Sequence, residues 1–267
     1  MDEFSVLNNE NWQPLLDLIR SYDSLTDKVL HRPTSPASDR PQDYVISILV
    51  TRSFRLAISG IRLALSGYPD SVPNLDRTIF EISIRLLDIG GNPISGSLGY
   101  LIQGSAEEIS AMEAELNHRT KTGEVTGNLG VNLESMRKHM SLYESLARRH
   151  NLNPRKIQKQ HGILNVRNVC KKYGIEKAYF VDYCYYSSHV HEKNVATSEF
   201  LKDREGIRQF EFGPIADGCV ECVVDVLRNL GMVISIASDI LQDKDINRSI
   251  RAMRAKLDEA YLLSKAK

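Results

Sequence analysis

Residues 182–193 read DYCYYSSHVHEK, with three tyrosines, two serines and two histidines in twelve positions. These side chains exchange protons, attack electrophiles or hold metals. On a helix, residues four apart share a face. Tyr179, Tyr183, Ser187 and His191 then form one line, flanked by Tyr186 and Val190. His189 is two residues from His191 and points elsewhere, so the H-V-H does not chelate one metal on a helix. Phe180 and Cys184 are apolar and are expected to face the core beside that line. A half-buried polar line needs partners.

The partners are sought in "RTIFE", which sets Arg77 and Glu81 one turn apart among Leu75, Ile79, Phe80, Ile82 and Ile84. Two charges in such surroundings call for pairing. An Arg77–Glu81 pair meeting Ser187 and His191 would satisfy all four. Two uses are open to Tyr183, Ser187, His191, Arg77 and Glu81. They form a catalytic or ligand-binding cluster, or a structural polar network that fixes helix register. A metal-dependent hydrolase on Asp182, His191 and Glu192 is disfavoured, because those residues do not share a helix face. There is no Gly-rich phosphate loop, G-x-S-x-G or H-E-x-x-H. Cys219 and Cys222 form one C-x-x-C, with Cys170 and Cys184 giving no second one, so all four read as core cysteines. Neither a metal nor a cofactor is expected.

The elements that must position these residues read as helices. "NWQPLLDLIRSYDSLTDKVL" is amphipathic, giving an N-terminal helix in 1–30. "HRPTSPASDRPQD" (31–43) reads as a linker, and a bundle domain spans 44–267. A long helix ends at Gly67, and a second is stopped by Gly90 and Gly91. Others lie at about 100–121 and 132–149. Pro154 opens a basic helix, and the polar line lies on the next. Residues 193–214 lack helical period and suit a short β-hairpin. An almost wholly apolar helix ending near Leu241 reads as central, with a terminal helix over about 245–264. The fold class is all-α, a bundle of seven to nine helices.

Composition and charge narrow the function classes. The chain has 267 residues, 42% hydrophobic and 25% charged, with zero formal net charge. No apolar run approaches the 18 or so residues of a membrane helix, and the acidic start suits no signal peptide. A cytoplasmic protein with no membrane partner is the expectation. The charge is uneven: residues 137–177 hold 11 Lys or Arg against 2 Asp or Glu. Arg148, Arg149, Arg155, Lys156 and Lys159 of this segment are expected to present a common positive surface, and RNA is the partner such a surface suits.

The pairing of R-x-x-F-E (Arg77, Phe80, Glu81) with Y-x-x-Y-S-x-x-V-H (Tyr183, Tyr186, Ser187, Val190, His191) resembles a bacterial all-helical family of unknown function. The resemblance covers about residues 44–241. Tyr186 stands where that family more often has an aliphatic residue. The family has been likened to HEPN (higher eukaryotes and prokaryotes nucleotide-binding) bundles, many of them RNases of toxin and phage-defence systems. The resemblance therefore implies a HEPN-like core and, if the chain is an enzyme, a metal-independent ribonuclease; together with the basic segment it points to RNA binding through 137–177. HEPN RNases use an Arg and a His spaced R-x(4–6)-H. Arg155 and His161 in "RKIQKQH" have that spacing, although Lys156 stands where a small polar residue is usual. His161 lies in a polar stretch and is expected to be exposed. The rival reading is a non-enzymatic helical interaction module, a homodimer whose Tyr–Ser–His line is structural.

Overall fold

Apolar residues three and four apart give α1 (Gln13–Leu30) one buried stripe: Leu15, Leu18, Tyr22, Leu25 and Val29. The computed structural model describes residues 13–31, 34–184, 187, 201–204, 207–210 and 218–265. Beyond α1 run α2 (Pro41–Leu65), α3 (Val72–Gly91), α4 (Pro93–Thr122), α5 (Leu129–Arg149), α6 (Pro154–His161), α7 (Val166–Lys172), α8 (Glu176–Ala178), α9 (Cys219–Leu241) and α10 (Lys244–Lys265). A single π-turn, Tyr179–Tyr183, continues α8. The two strands β1 (Leu201–Arg204) and β2 (Ile207–Phe210) pair antiparallel with Leu201 opposite Phe210, the hairpin expected within 193–214. The architecture is the expected all-α, multi-helix fold.

Two helices begin earlier than the apolar period suggests. Pro41 opens α2 and Pro93 opens α4. Proline suits a first turn because its missing N–H would have no intrahelical acceptor there. The start of α4 is hidden in sequence because it reads "PISGSLGY", poor in helix formers. Its small residues serve packing instead. A Cβ on Gly96 would lie 2.9 Å from the Ile89 Cα, and one on Gly99 would lie 2.6 Å from the Ile157 carbonyl oxygen.

The chain divides into two compact units, one comprising residues 1–32, 47–86 and 166–267, the other 33–46 and 87–165. In the first unit α9 is the central helix, burying Val223, Val224, Val226, Leu227, Leu230, Val233 and Ile234. It packs against α1 and α10. Gly231 makes room for Tyr22, whose hydroxyl would sit 2.7 Å from an added Cβ. Burial pushes the Tyr22 phenol up to about 12. Gly60 of α2 faces Val72 and Leu75 of α3 and Val226 of α9. Inside this unit Asn229 Nδ2 donates to Asp76 Oδ1 at 2.9 Å.

In the second unit α4 packs against α5 and α6. Arg137 on α5 reaches Glu113 on α4 at 2.6 Å. Asn153 caps α6, its side-chain oxygen accepting from the Lys156 N–H at 3.1 Å, with Pro154 at the first helical position.

Contrary to the sequence expectation, one described helix, α2, is long and apolar enough to cross a membrane by length and composition. Its apolar residues have an internal use, since 44% of that window is buried within the protein, including Val45, Ile46, Leu49 and Val50.

Candidate functional site

Arg77 and Glu81 do pair. Arg77 Nε lies 3.2 Å from Glu81 Oε1 across one turn of α3. The other end of the guanidinium turns to the π-turn: Nη2 donates to the Tyr183 hydroxyl at 3.1 Å, and Cζ lies 5.1 Å from that ring's centroid. The Tyr183 ring packs against Phe80 at 6.1 Å and stacks on Tyr179 at 5.3 Å with 20° between planes. Ser187 is half-buried; His191, Tyr186 and Val190 lie outside the described residues.

The pair is less enclosed than its apolar surroundings suggest, with side-chain exposures of 19% for Arg77 and 34% for Glu81. Burial works against the Arg77 charge, but the Tyr183 hydroxyl and Glu81 outweigh it and hold the guanidinium above its ordinary pKa. Burial also raises the Tyr183 phenol, Arg77 opposing and Glu81 adding to the effect. Near neutral pH the cluster is therefore a fixed cation, an un-ionised phenol and stacked rings. The guanidinium and the phenol can orient and brace.

At the π-turn one sequence expectation is reversed. Phe180 is 58% exposed and Cys184 is exposed, not in the core. In the turn the Cys184 N–H reaches back five residues to the Tyr179 carbonyl. Such a turn inserts one extra residue into the helical phase and re-aims the side chains beyond it. Tyr179 and Tyr183 still stack, while Phe180, edge-on to Tyr179 at 5.3 Å, faces out. Arg167, Asn168 and Lys171 from α7 and Glu176 from α8 join Tyr179 and Phe180 around an open cleft of about 380 Å³. The Arg167 guanidinium stands 6.0 Å from the Phe180 ring centroid. The sequence reading missed this grouping. Its signal is Arg167 and Lys171 one turn apart, with Tyr179–Phe180 next along the chain.

The basic block splits in two. Arg148 is paired with Glu144 at 2.9 Å and Arg149 with Asp39 at 3.0 Å. Arg155, Lys156 and Lys159 are exposed on one side of α6, opposite its buried Ile157 and His161. No ion pair holds these three among the described residues.

His161 is not exposed as its polar stretch suggests; 5% of its side chain is accessible. Its Nδ1 lies 3.3 Å from Asp88 Oδ2 and its Nε2 3.5 Å from Ser95 Oγ. The ring thus bridges a carboxylate of α3 and a hydroxyl of α4. Arg155 and His161 lie on different sides of α6, six residues apart at 100° each, so they do not converge on one phosphate. The histidine is buried because Gly99 lets α6 approach α4 closely: a Cβ there would be 2.9 Å from the His161 Cβ.

Three of the four cysteines pack as expected. Cys170 and Cys219 are buried, and the Cys222 thiol, 3.4 Å from the Pro69 carbonyl, is pushed by burial up to about 12. Cys184, which closes the π-turn, is the exception and is exposed.

No curated protein and no solved structure matches the chain. A family model covers residues 43–208, the span that carries Arg77, Glu81, Tyr183, the α6 cations and the α7 cleft. On that match the chain belongs to DUF5677, a family of unknown function.

Proposed function

We propose that this is an RNA-binding helical protein that contacts phosphates through α6, and that Arg77, Glu81 and Tyr183 brace its structure rather than perform catalysis. The observation that carries the reading is the trio Arg155, Lys156 and Lys159, exposed on one helix face and unclaimed by any described acid. Free cations on one face suit a phosphate backbone, whereas Arg148 and Arg149 are already paired within the protein. The toxin or phage-defence setting implied by the HEPN resemblance is one in which such binding has a use. A metal-independent ribonuclease would have to rest on His191, because His161 is enclosed by Asp88 and Ser95.

The test is binding of a short single-stranded RNA over a range of salt. Each phosphate contact contributes a slope of about −0.7 in log affinity against log salt. Replacing Arg155, Lys156 and Lys159 together by Gln should flatten the slope by about 2. Wild-type protein with no affinity at low salt would remove RNA as a partner. It would leave the second reading, an interaction module, which the mutual pairing of Arg77, Glu81 and Tyr183 favours.

A further inference from the structure

The cleft of the first unit has a composition that α6 lacks. Its floor and rim combine two cations, Arg167 and Lys171, an amide, Asn168, one carboxylate, Glu176, and two aromatic rings, Tyr179 and Phe180. Phe180 is a large apolar side chain more than half exposed. Its ring is nonetheless held in place. Tyr179 supports it edge-on, Tyr183 stacks behind Tyr179, and Arg77 holds Tyr183 by a hydrogen bond and a cation–ring contact while Glu81 holds Arg77 by an ion pair. An exposed aromatic ring fixed in this way, with the Arg167 guanidinium over it at 6.0 Å, is a stacking platform, and platforms beside cations are how proteins take single-stranded nucleotides. The volume, about 380 Å³, falls in the range of roughly 300–1,000 Å³ typical of small-ligand clefts.

We infer that this cleft is a nucleotide subsite in which a nucleobase stacks on Phe180 while Arg167 and Lys171 hold the adjoining phosphate. The inference rests on the RNA-binding reading above and extends it to a second place in the chain. Glu176 opposes a phosphate but accepts hydrogen bonds from ribose hydroxyls, which distinguish RNA from DNA. Arg77, Glu81 and Tyr183 are positioning residues here: they touch the platform's support and not the ligand. The shared ligand chemistry is a nucleobase carrying a phosphate, presented by a single RNA strand or by a free nucleotide.

The experiment uses the full chain with three probes: a single-stranded RNA 12-mer, a duplex of the same sequence, and AMP. Phe180→Ala should weaken single-strand binding about 10-fold or more, in the range of base–aromatic stacking, with an unchanged salt slope because no charge is removed. Phe180→Tyr should restore it. Arg167→Gln with Lys171→Gln should flatten the slope by about 1.4. Tyr183→Phe should weaken binding by a smaller factor at an unchanged slope, a pattern that simple unfolding would not give. Duplex RNA, whose bases are already stacked, should be insensitive to Phe180. AMP binding that depends on Phe180 supports the subsite and identifies the free nucleotide as a ligand. Because Phe180 is exposed, its variants should keep the wild-type melt. If wild type binds RNA through α6, yet Phe180→Ala leaves both single-strand and AMP binding unchanged, the subsite is overturned while the parent reading stands. If wild type binds no probe at low salt, both fall.

Discussion

Two polar clusters of the same chemical vocabulary have opposite fates in this chain. In the second unit, Asp88, His161 and Ser95 line up as carboxylate, imidazole and hydroxyl, the order of groups in a hydrolase triad, where the carboxylate orients the imidazole that takes the hydroxyl's proton. In the first unit, Glu81, Arg77 and Tyr183 line up as carboxylate, guanidinium and phenol. The histidine cluster is shut, with His161 pressed against α4 at the glycine-lined contact. The arginine cluster is half-open and continues through Tyr179 to an exposed ring over a cleft. What separates a clamp from a platform here is access, not residue type. A buried imidazole satisfied on both nitrogens stabilises a helix contact. A satisfied guanidinium beneath an open cleft stiffens a surface.

The sharpest way to break this comparison is at Gly99. Gly99→Ala places a Cβ 2.6 Å from the Ile157 carbonyl, a backbone atom that cannot swing aside. The clash should cost roughly 3 kcal/mol, more than the roughly 1 kcal/mol that Ala gains over Gly in helix propensity. A denaturant melt reads the loss, and an unchanged midpoint would mean that α4 and α6 are not tightly clamped.

His161→Ala comes next. Its sequence neighbourhood suggests a tolerant, exposed position, but its burial leaves Asp88 and Ser95 without their partner. A loss of about 2 kcal/mol is expected, again by denaturant melt. A silent substitution would return His161 to the list of accessible, functional histidines.

Alkali should probe both units together. Tyr22, Tyr143 and Cys222 have folded-state values raised by burial to about 12, from 10.0 for the tyrosines and 9.0 for the thiol. For groups raised in the folded state, the stabilisation is whole below the unfolded value and is lost as pH rises towards the folded one. Stability should stay flat to about pH 9 and fall between about 9 and 12, with Tyr22 alone contributing on the order of 2 kcal/mol. Tyr22→Phe should shallow that fall. A wild-type curve flat through pH 11 would contradict these burials.

The smallest effect belongs to the open cluster. Arg77→Ala removes a half-exposed ion pair and a ring contact, so about 1 kcal/mol is expected in a thermal melt, well below the 3–5 kcal/mol of a fully buried pair. A loss as large as that at Gly99 would show the cluster to be as closed as the histidine clamp.

Much of the scaffold was legible in the sequence. Three- and four-residue apolar spacing marked α1, α9 and α10, Pro154 marked the start of α6, and the aperiodic 193–214 stretch pointed to the hairpin. The Arg77–Glu81 pairing was also legible, because charges one turn apart in an apolar helix have few other solutions. Three things were decided by tertiary structure. Asp88 and Ser95 are 73 and 66 residues from His161 along the chain, and no local pattern announces a contact over that distance. The beginning of α4 hid behind glycines and serines whose value lies in helix approach, not in propensity. Phe180 faces out because the adjoining Tyr179–Tyr183 side of the turn is the one that packs, with Tyr183 against Phe80 of α3. The apolar character that suggested a core face for Phe180 does not say which side of a short turn meets a neighbouring helix.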